Sequence, residues 1–186
     1  MRVAFLGLGH MGLPMAVNLH RAGHRIVGYD VADRAREAAR EAGLEVVGSA
    51  PDAVRRAEAE VVVTMFQNGA QVLAAYTGAG GEPGLCDVAA PGTLFVDCST
   101  IAVDDARSAH SVAGSAGHRA LDAPVSGGVV GAGAGTLTYD GSVKGAFAMM
   151  GTEYYSITLA DPVVSVTEDG SGSLSAVVSA ANAATQ

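Results

Sequence analysis

Six residues near the start of the chain carry its first chemical signal: Gly7-Leu8-Gly9-His10-Met11-Gly12. The spacing is G-x-G-x-x-G, which alone describes only a glycine-rich turn. Its context adds the meaning. Arg2 to Gly7 reads as a short buried strand ended by glycine, and His10 to Ala22 reads as a helix with Met11, Met15, Ala16 and Leu19 on one face. A strand, a glycine turn and a helix in that order form a phosphate cradle. The first glycine makes the turn, the second lets the backbone approach a pyrophosphate, and the third lets helix and strand pack closely. Free N–H groups at the helix start then face the anion. Asp30 ends the next strand, about twenty residues further on, where a carboxylate binds the ribose 2′-hydroxyl of a dinucleotide and repels a 2′-phosphate. NAD is therefore expected in preference to NADP. Arg34 and Arg36 read as the solvated face of the following helix.

The remaining reactive side chains point to less. His10 lies within the glycine turn, facing phosphates rather than a reacting carbon, so it is a poor general base. His20, His24, His110 and His118 show no ligand spacing and read as surface or capping residues. Cys86 and Cys98 have neither metal spacing nor a disulfide partner pattern and read as reduced thiols. No metal site is expected.

Further elements must position the turn. Arg25 to Tyr29, Leu44 to Val47, Glu60 to Met65, Thr93 to Asp97 and Arg119 to Asp122 read as strands. Ala32 to Ala42 and Ala102 to Ala113 read as helices, and Ser49-Ala50-Pro51-Asp52 as a helix start with Ser49 as N-cap. Strands alternating with helices predict a Rossmann-type α/β fold, doubly wound around a mostly parallel sheet. The 186 residues suffice for one domain, and 49% hydrophobic against 16% charged residues makes a core easy to build. A net charge of −8 argues against nucleic acid or an anionic membrane surface as partner. The opening apolar run is too short for a signal peptide or membrane span, so the cytoplasm is the expected location.

At residues 7–24, GLGHMGLPMAVNLHRAGH, the chain resembles the β-hydroxyacid dehydrogenases, the group of 3-hydroxyisobutyrate dehydrogenase and relatives of 6-phosphogluconate dehydrogenase. Asp97-Cys98-Ser99-Thr100-Ile101 is similar to the segment that follows their fifth strand. Residues 121–131, LDAPVSGGVVG, with Ala134-Gly135-Thr136-Leu137 after them, are similar to their substrate motif. The resemblance covers roughly residues 1–138. It implies that Val63 to Gln67 lies along the cofactor, with Met65 and Phe66 among the contacts, and that Thr100 sits near the nicotinamide ribose. It also implies that Ser126, Gly127 and Gly128 hold the carboxylate of a small anionic hydroxyacid. A serine hydroxyl and successive glycine N–H groups suit that task, because they form an anion nest without a basic side chain.

After residue 138 the likeness thins. The family places a proton-transferring lysine in a G-x-G-x-x-x-K-x-x-N pattern. The nearest match, Gly170-Ser171-Gly172, puts Ala176 at the lysine position, and Asn182 falls late for the asparagine. Lys144 is the sole lysine and reads as a surface residue at a helix start. Residues 1–138 are thus expected to form the dinucleotide-binding domain and 139–186 a divergent tail packed on it. In that tail Tyr154 to Leu159 and Val163 to Val166 read as strands and Leu174 to Ala184 as a small-residue helix. The all-helical second domain of the family, which closes the cleft and forms a dimer, is expected to be absent, and the partner is left as a homo-oligomer. Three readings follow: an NAD-dependent hydroxyacid dehydrogenase whose turnover is in question, a non-catalytic NAD(H)-binding module, and an imine reductase-like enzyme.

Overall fold

The computed structural model of the chain describes residues 1–142, 154–158, 164–168 and 174–178, with side chains through residue 137. Six strands form one parallel sheet: β1 (Arg2–Leu6), β2 (Arg25–Tyr29), β3 (Glu45–Val46), β4 (Val61–Thr64), β5 (Leu94–Asp97) and β6 (Arg119–Asp122). Their order is β3-β2-β1-β4-β5-β6, so the winding reverses between β1 and β4. That reversal opens a crevice at the carboxyl ends of the two strands.

The described residues form seven helices beside the sheet: α1 (Gly12–Arg21), α2 (Asp33–Glu41), α3 (Ala50–Ala57), α4 (Gly69–Thr77), α5 (Leu85–Val88), α6 (Val103–Ser115) and α7 (Gly128–Ala134). Two hydrophobic clusters show that both faces are buried. Val3 and Phe5 of β1 join Met15, Ala16 and Ala39 of α1 and α2 on one side. Ala4 and Leu6, the alternate residues of the same strand, join Val54, Val72, Tyr76 and Ala109 of α3, α4 and α6 on the other. This two-sided burial is why β1 reads as an unbroken apolar run rather than an alternating one. The mostly parallel, doubly wound sheet matches the expected fold class.

The local signals that set the helices are legible. The Ser49 side chain accepts from Asp52 N–H at 3.2 Å and caps α3, as its sequence position predicts. Asn68 caps α4 in the same way, accepting from Gln71 N–H at 3.0 Å. Helices α4, α5 and α7 lie where the sequence shows no clear helical period: glycine and alanine blur it in α4 and α7, and α5 is a single turn. The histidine reading needs correction. His24 and His118 are buried, and His118 Nε2 lies 2.9 Å from the Cys86 carbonyl with its ring against Phe95.

Beyond residue 122 the chain forms β7 (Val125–Ser126), α7, and then β8 (Thr138–Ser142) and β9 (Tyr154–Thr158), which pair antiparallel in the order β7-β8-β9. The strands β10 (Val164–Glu168) and β11 (Leu174–Val178) form a separate antiparallel pair. The two strands read in the tail therefore exist, each with slightly shifted bounds. The helix read from Leu174 does not: residues 174–178 are a strand, where the β-branched pair Val177-Val178 favours extended backbone. The rest of that expected helix, the Lys144 stretch, Gly170 to Gly172 and Asn182 lie outside the described residues.

Candidate functional site

The glycine turn joins β1 to α1 at the winding reversal. Gly7 adopts φ +93°, a left-handed conformation, and a Cβ there would stand 2.3 Å from the Met65 carbonyl oxygen. Gly12 is tighter still: a Cβ would lie 1.8 Å from the Gly7 carbonyl oxygen, so only glycine lets the helix start against the turn. At Gly9 a Cβ would meet nothing within 4 Å. No atom of the described residues demands glycine at position 9, which borders open space. The helical bonding begins with Leu13 N–H donating to the Gly9 carbonyl at 3.0 Å, leaving the first-turn N–H groups at the helix mouth.

Asp30 reaches back to this turn. Its Oδ2 accepts from Leu8 N–H at 2.7 Å and its Oδ1 accepts from Ala32 N–H at 2.8 Å. The Leu8 side chain is buried against Gly28, so Leu8 ties the turn to β2 rather than presenting a side chain to a ligand. Arg36 is engaged nearby: it donates to the Asp30 and Val31 carbonyls, pairs with Asp33 and lies over the Tyr29 ring.

A cleft of about 670 Å³ opens in front of the turn. Gly7, Gly9, His10, Met11, Gly12 and Asp30 line it, together with Met65, Phe66, Gln67 and Gln71 from the end of β4 and the start of α4. Gly48, Ser49, Ala74, Ala79 and Glu82 line its outer end. Among the described residues the lining holds two carboxylates and neither lysine nor arginine. An anion held there would be met by backbone N–H groups, the helix dipole and neutral polar side chains such as Ser49, Gln67 and Gln71.

The wall at Phe66 rests on a buried polar string. Phe66 N–H donates to Ser99 Oγ at 2.8 Å, and Ser99 Oγ donates to Asp97 Oδ1 at 2.6 Å. Thr64 Oγ1 donates to the same oxygen at 2.8 Å, across the register pair Thr64–Asp97 of β4 and β5. Burial pushes the Asp97 carboxyl above its ordinary range, and the Ser99 and Thr64 donors pull it back. Sequence reasoning noted Asp97-Cys98-Ser99 as a motif but not this bracing. Its signal was an aspartate and a serine at the end of a buried strand, opposite a threonine. Burial also drives both thiols upward, Cys86 to about 11, so neither is a ready nucleophile.

The other expected site residues lie apart from the cleft lining. Thr100 is exposed just after β5. Ser126 is exposed in β7, paired with Thr138, and Gly127 and Gly128 take φ of +120° and +59° as they lead into α7. Both segments follow carboxyl ends of sheet strands, on the same edge as the cleft. Asn18 of α1 donates to the Ala132 carbonyl of α7 at 2.7 Å and links the helix of the glycine turn to the helix of the Ser126 loop. Ala176 pairs with Val166 in β11 and β10. Among the described residues no group of three His, Cys, Asp or Glu could hold a metal ion, and no helix is long and apolar enough to cross a membrane.

These features have close counterparts. The chain is 50% identical over 137 residues to a probable 3-hydroxyisobutyrate dehydrogenase of Mycobacterium tuberculosis, covering 74% of this chain and 44% of that protein. It is 45% identical over 138 residues to the NAD-dependent L-serine dehydrogenase of Pseudomonas aeruginosa, covering 74% and 45%. Among solved structures, the Mycobacterium tuberculosis 3-hydroxyisobutyrate dehydrogenase with L-serine superposes with a TM-score of 0.70 and 49% identity, over 75% of this chain and 45% of that one. The chain thus spans a little under half the length of the relatives it matches. Residues 2–165 match the family described as the NAD binding domain of 6-phosphogluconate dehydrogenase. The chain belongs to that family, within the β-hydroxyacid dehydrogenase group to which its three motifs pointed.

Proposed function

We propose that the chain holds NAD(H) in the cleft at the β1–α1 turn, for hydride exchange with a small 3-hydroxyacid or its semialdehyde. The observation that carries this reading is Gly9, whose missing side chain leaves space toward a 670 Å³ cleft while the protein places nothing against it. The residues fit the cofactor: Gly9 to Gly12 would take the pyrophosphate on N–H groups, and Asp30 would take the ribose. Met65 and Phe66 would form the facing wall. NAD supplies the hydride chemistry when bound. NAD is favoured over NADP because Asp30 carries the negative charge at the ribose position and Arg36 is already occupied by Asp30, Val31 and Asp33. Thr100 would approach the nicotinamide ribose, and Ser126, Gly127 and Gly128 the substrate carboxylate, in keeping with the family motifs at those positions. Residues 1–138 would form the binding domain, with 139–186 packed on it.

A second reading is favoured by one specific observation: Ala176 stands where the family pattern calls for its lysine. On that reading the chain binds NAD(H) without turnover. General acid–base catalysis typically contributes about 10²–10⁴-fold. The test is an NADH titration by fluorescence, with NADPH in parallel, followed by a dehydrogenase assay against small 3-hydroxyacids. Tighter binding of NADH than NADPH is expected, and no saturable NADH signal would remove the proposal. Turnover is expected at least about 100-fold below that of a full-length relative. Turnover equal to such a relative would discard the second reading. Its loss in Lys144→Ala would make Lys144 the proton carrier.

A further inference from the structure

Behind the cofactor cleft, between α6 and the sheet, lies a second and much smaller cavity of about 10 Å³. Four polar side chains line it: Tyr76 of α4, Asp97 of β5, His110 of α6 and Asp122 of β6. Two of these bring a buried atom that finds no partner among the described protein groups. Asp97 spends Oδ1 on three donors, Thr64 Oγ1, Ser99 Oγ and Ser99 N–H, while Oδ2 receives none. His110 Nδ1 is buried and equally unmatched. Leaving one such atom dry costs the desolvation of a polar group, and native proteins seldom do so. Here both atoms belong to residues that line the same cavity. A cavity holds a water when it offers about 10–15 Å³ to the water's centre and two to four polar partners. This one meets both conditions.

We propose that a single structural water occupies this cavity, bonded to Asp97 Oδ2 and His110 Nδ1, and that through Asp97 it braces the Ser99–Phe66 link shaping the cofactor cleft. The chemistry suits water. It donates to the carboxylate and still has both a donor and lone pairs for an imidazole of either tautomer. Burial pushes Asp97 up and His110 down, so it disfavours the charged form of each, and a neutral bridging molecule adds no further charge. His110 becomes a positioning residue: it touches neither cleft nor cofactor, yet it anchors the far end of the string Asp97–Ser99–Phe66.

The test uses the whole 186-residue chain. A crystal structure at a resolution that reveals ordered waters should show one water within about 3.2 Å of both Asp97 Oδ2 and His110 Nδ1. A dry cavity, or a direct bond between the two side chains, would overturn the proposal. The brace is read by NADH titration of His110→Leu and His110→Asn. The leucine variant should bind NADH about 3- to 10-fold more weakly, the scale of one lost hydrogen bond, and the asparagine variant should recover most of that loss. Equal affinity in the unmodified chain and both variants would refute the brace. If the leucine variant does not fold, His110→Phe, which also lacks a hydrogen-bonding side chain, takes its place in the titration with the same expected loss, and the density in the unmodified chain still judges the water. The brace rests on the cofactor reading above but the water does not: failure of the unmodified chain to bind NADH would remove the former and leave the density to judge the latter.

Discussion

Gly9 and Gly12 stand three residues apart and should respond to a side chain in opposite ways. A Cβ at Gly12 would collide with the Gly7 carbonyl, a backbone atom that cannot rotate aside. Gly12→Ala is expected to lower stability by about 1–3 kcal/mol, typical of overpacking, read as a drop in the urea midpoint. A Cβ at Gly9 meets no atom of the protein. Gly9→Val should keep the folding midpoint and lose NADH binding, because its side chain fills the space the pyrophosphate needs. Unchanged NADH titration in Gly9→Val would separate the glycine turn from the cofactor. Asp30 has two duties, since its carboxylate also holds Leu8 N–H at 2.7 Å. Asp30→Ala is therefore expected to narrow the preference for NADH over NADPH and also to weaken both, as the turn loses its tether. A preference as wide as before would show that Asp30 does not set cofactor choice.

At the scale of elements, the weak member is α7. Its sequence, GVVGAGA, buries only Gly131 and Ala132 and leaves Val129 and Val130 exposed. Glycine in a helix costs up to about 1 kcal/mol relative to alanine. Such a helix owes its place to its neighbours, and the bond from Asn18 to the Ala132 carbonyl is its polar anchor on α1. Asn18→Ala should remove about 0.5–1.5 kcal/mol, the usual net worth of one hydrogen bond. The loss should concentrate in α7, visible as faster amide exchange of Gly131 to Gly135 while β1 and β4 amides keep their protection. Uniform loss of protection across the sheet would contradict this local role.

For the molecule as a whole, stability rests on the two clusters that flank the sheet. Phe95 is fully buried, in edge-to-face contact with Tyr76 at 4.9 Å between ring centres and beside His118 at 5.1 Å. Phe95→Ala should cost about 3–5 kcal/mol, a large part of the stability of a domain this size. Acid sensitivity follows from His110, whose imidazole burial holds below its ordinary 6.5. The unfolded chain then binds protons first as pH falls. The stability His110 contributes is complete above 6.5 and is lost as pH falls through that value toward the folded one. Asp97 acts in the opposite sense. Its raised carboxyl favours the protonated folded form, so its contribution is present below the ordinary carboxylate range and lost as pH rises through its folded value. The urea midpoint should therefore fall as pH drops below about 6.5, and His110→Leu should flatten that slope. An unchanged slope in the variant would place the acid sensitivity elsewhere.

Much of this protein was determined by order along the chain alone. Strand, glycine turn, helix and a carboxylate after the second strand specify a cradle whose parts are local, because each glycine acts on its immediate backbone. The alternation of apolar strands with helices specified the parallel sheet, since buried strands and βα repeats leave few other packings. Tertiary structure decided what depends on residues far apart. Leu8 and Asp30 are 22 positions apart, and Thr64 and Asp97 are 33 apart; only strand pairing makes them partners. The burial of His24 and His118, the unmatched atoms at the small cavity and the choice of strand rather than helix at Leu174 to Val178 arise the same way. No local pattern records which side chain lies across a sheet, because that contact exists only once the chain between has folded.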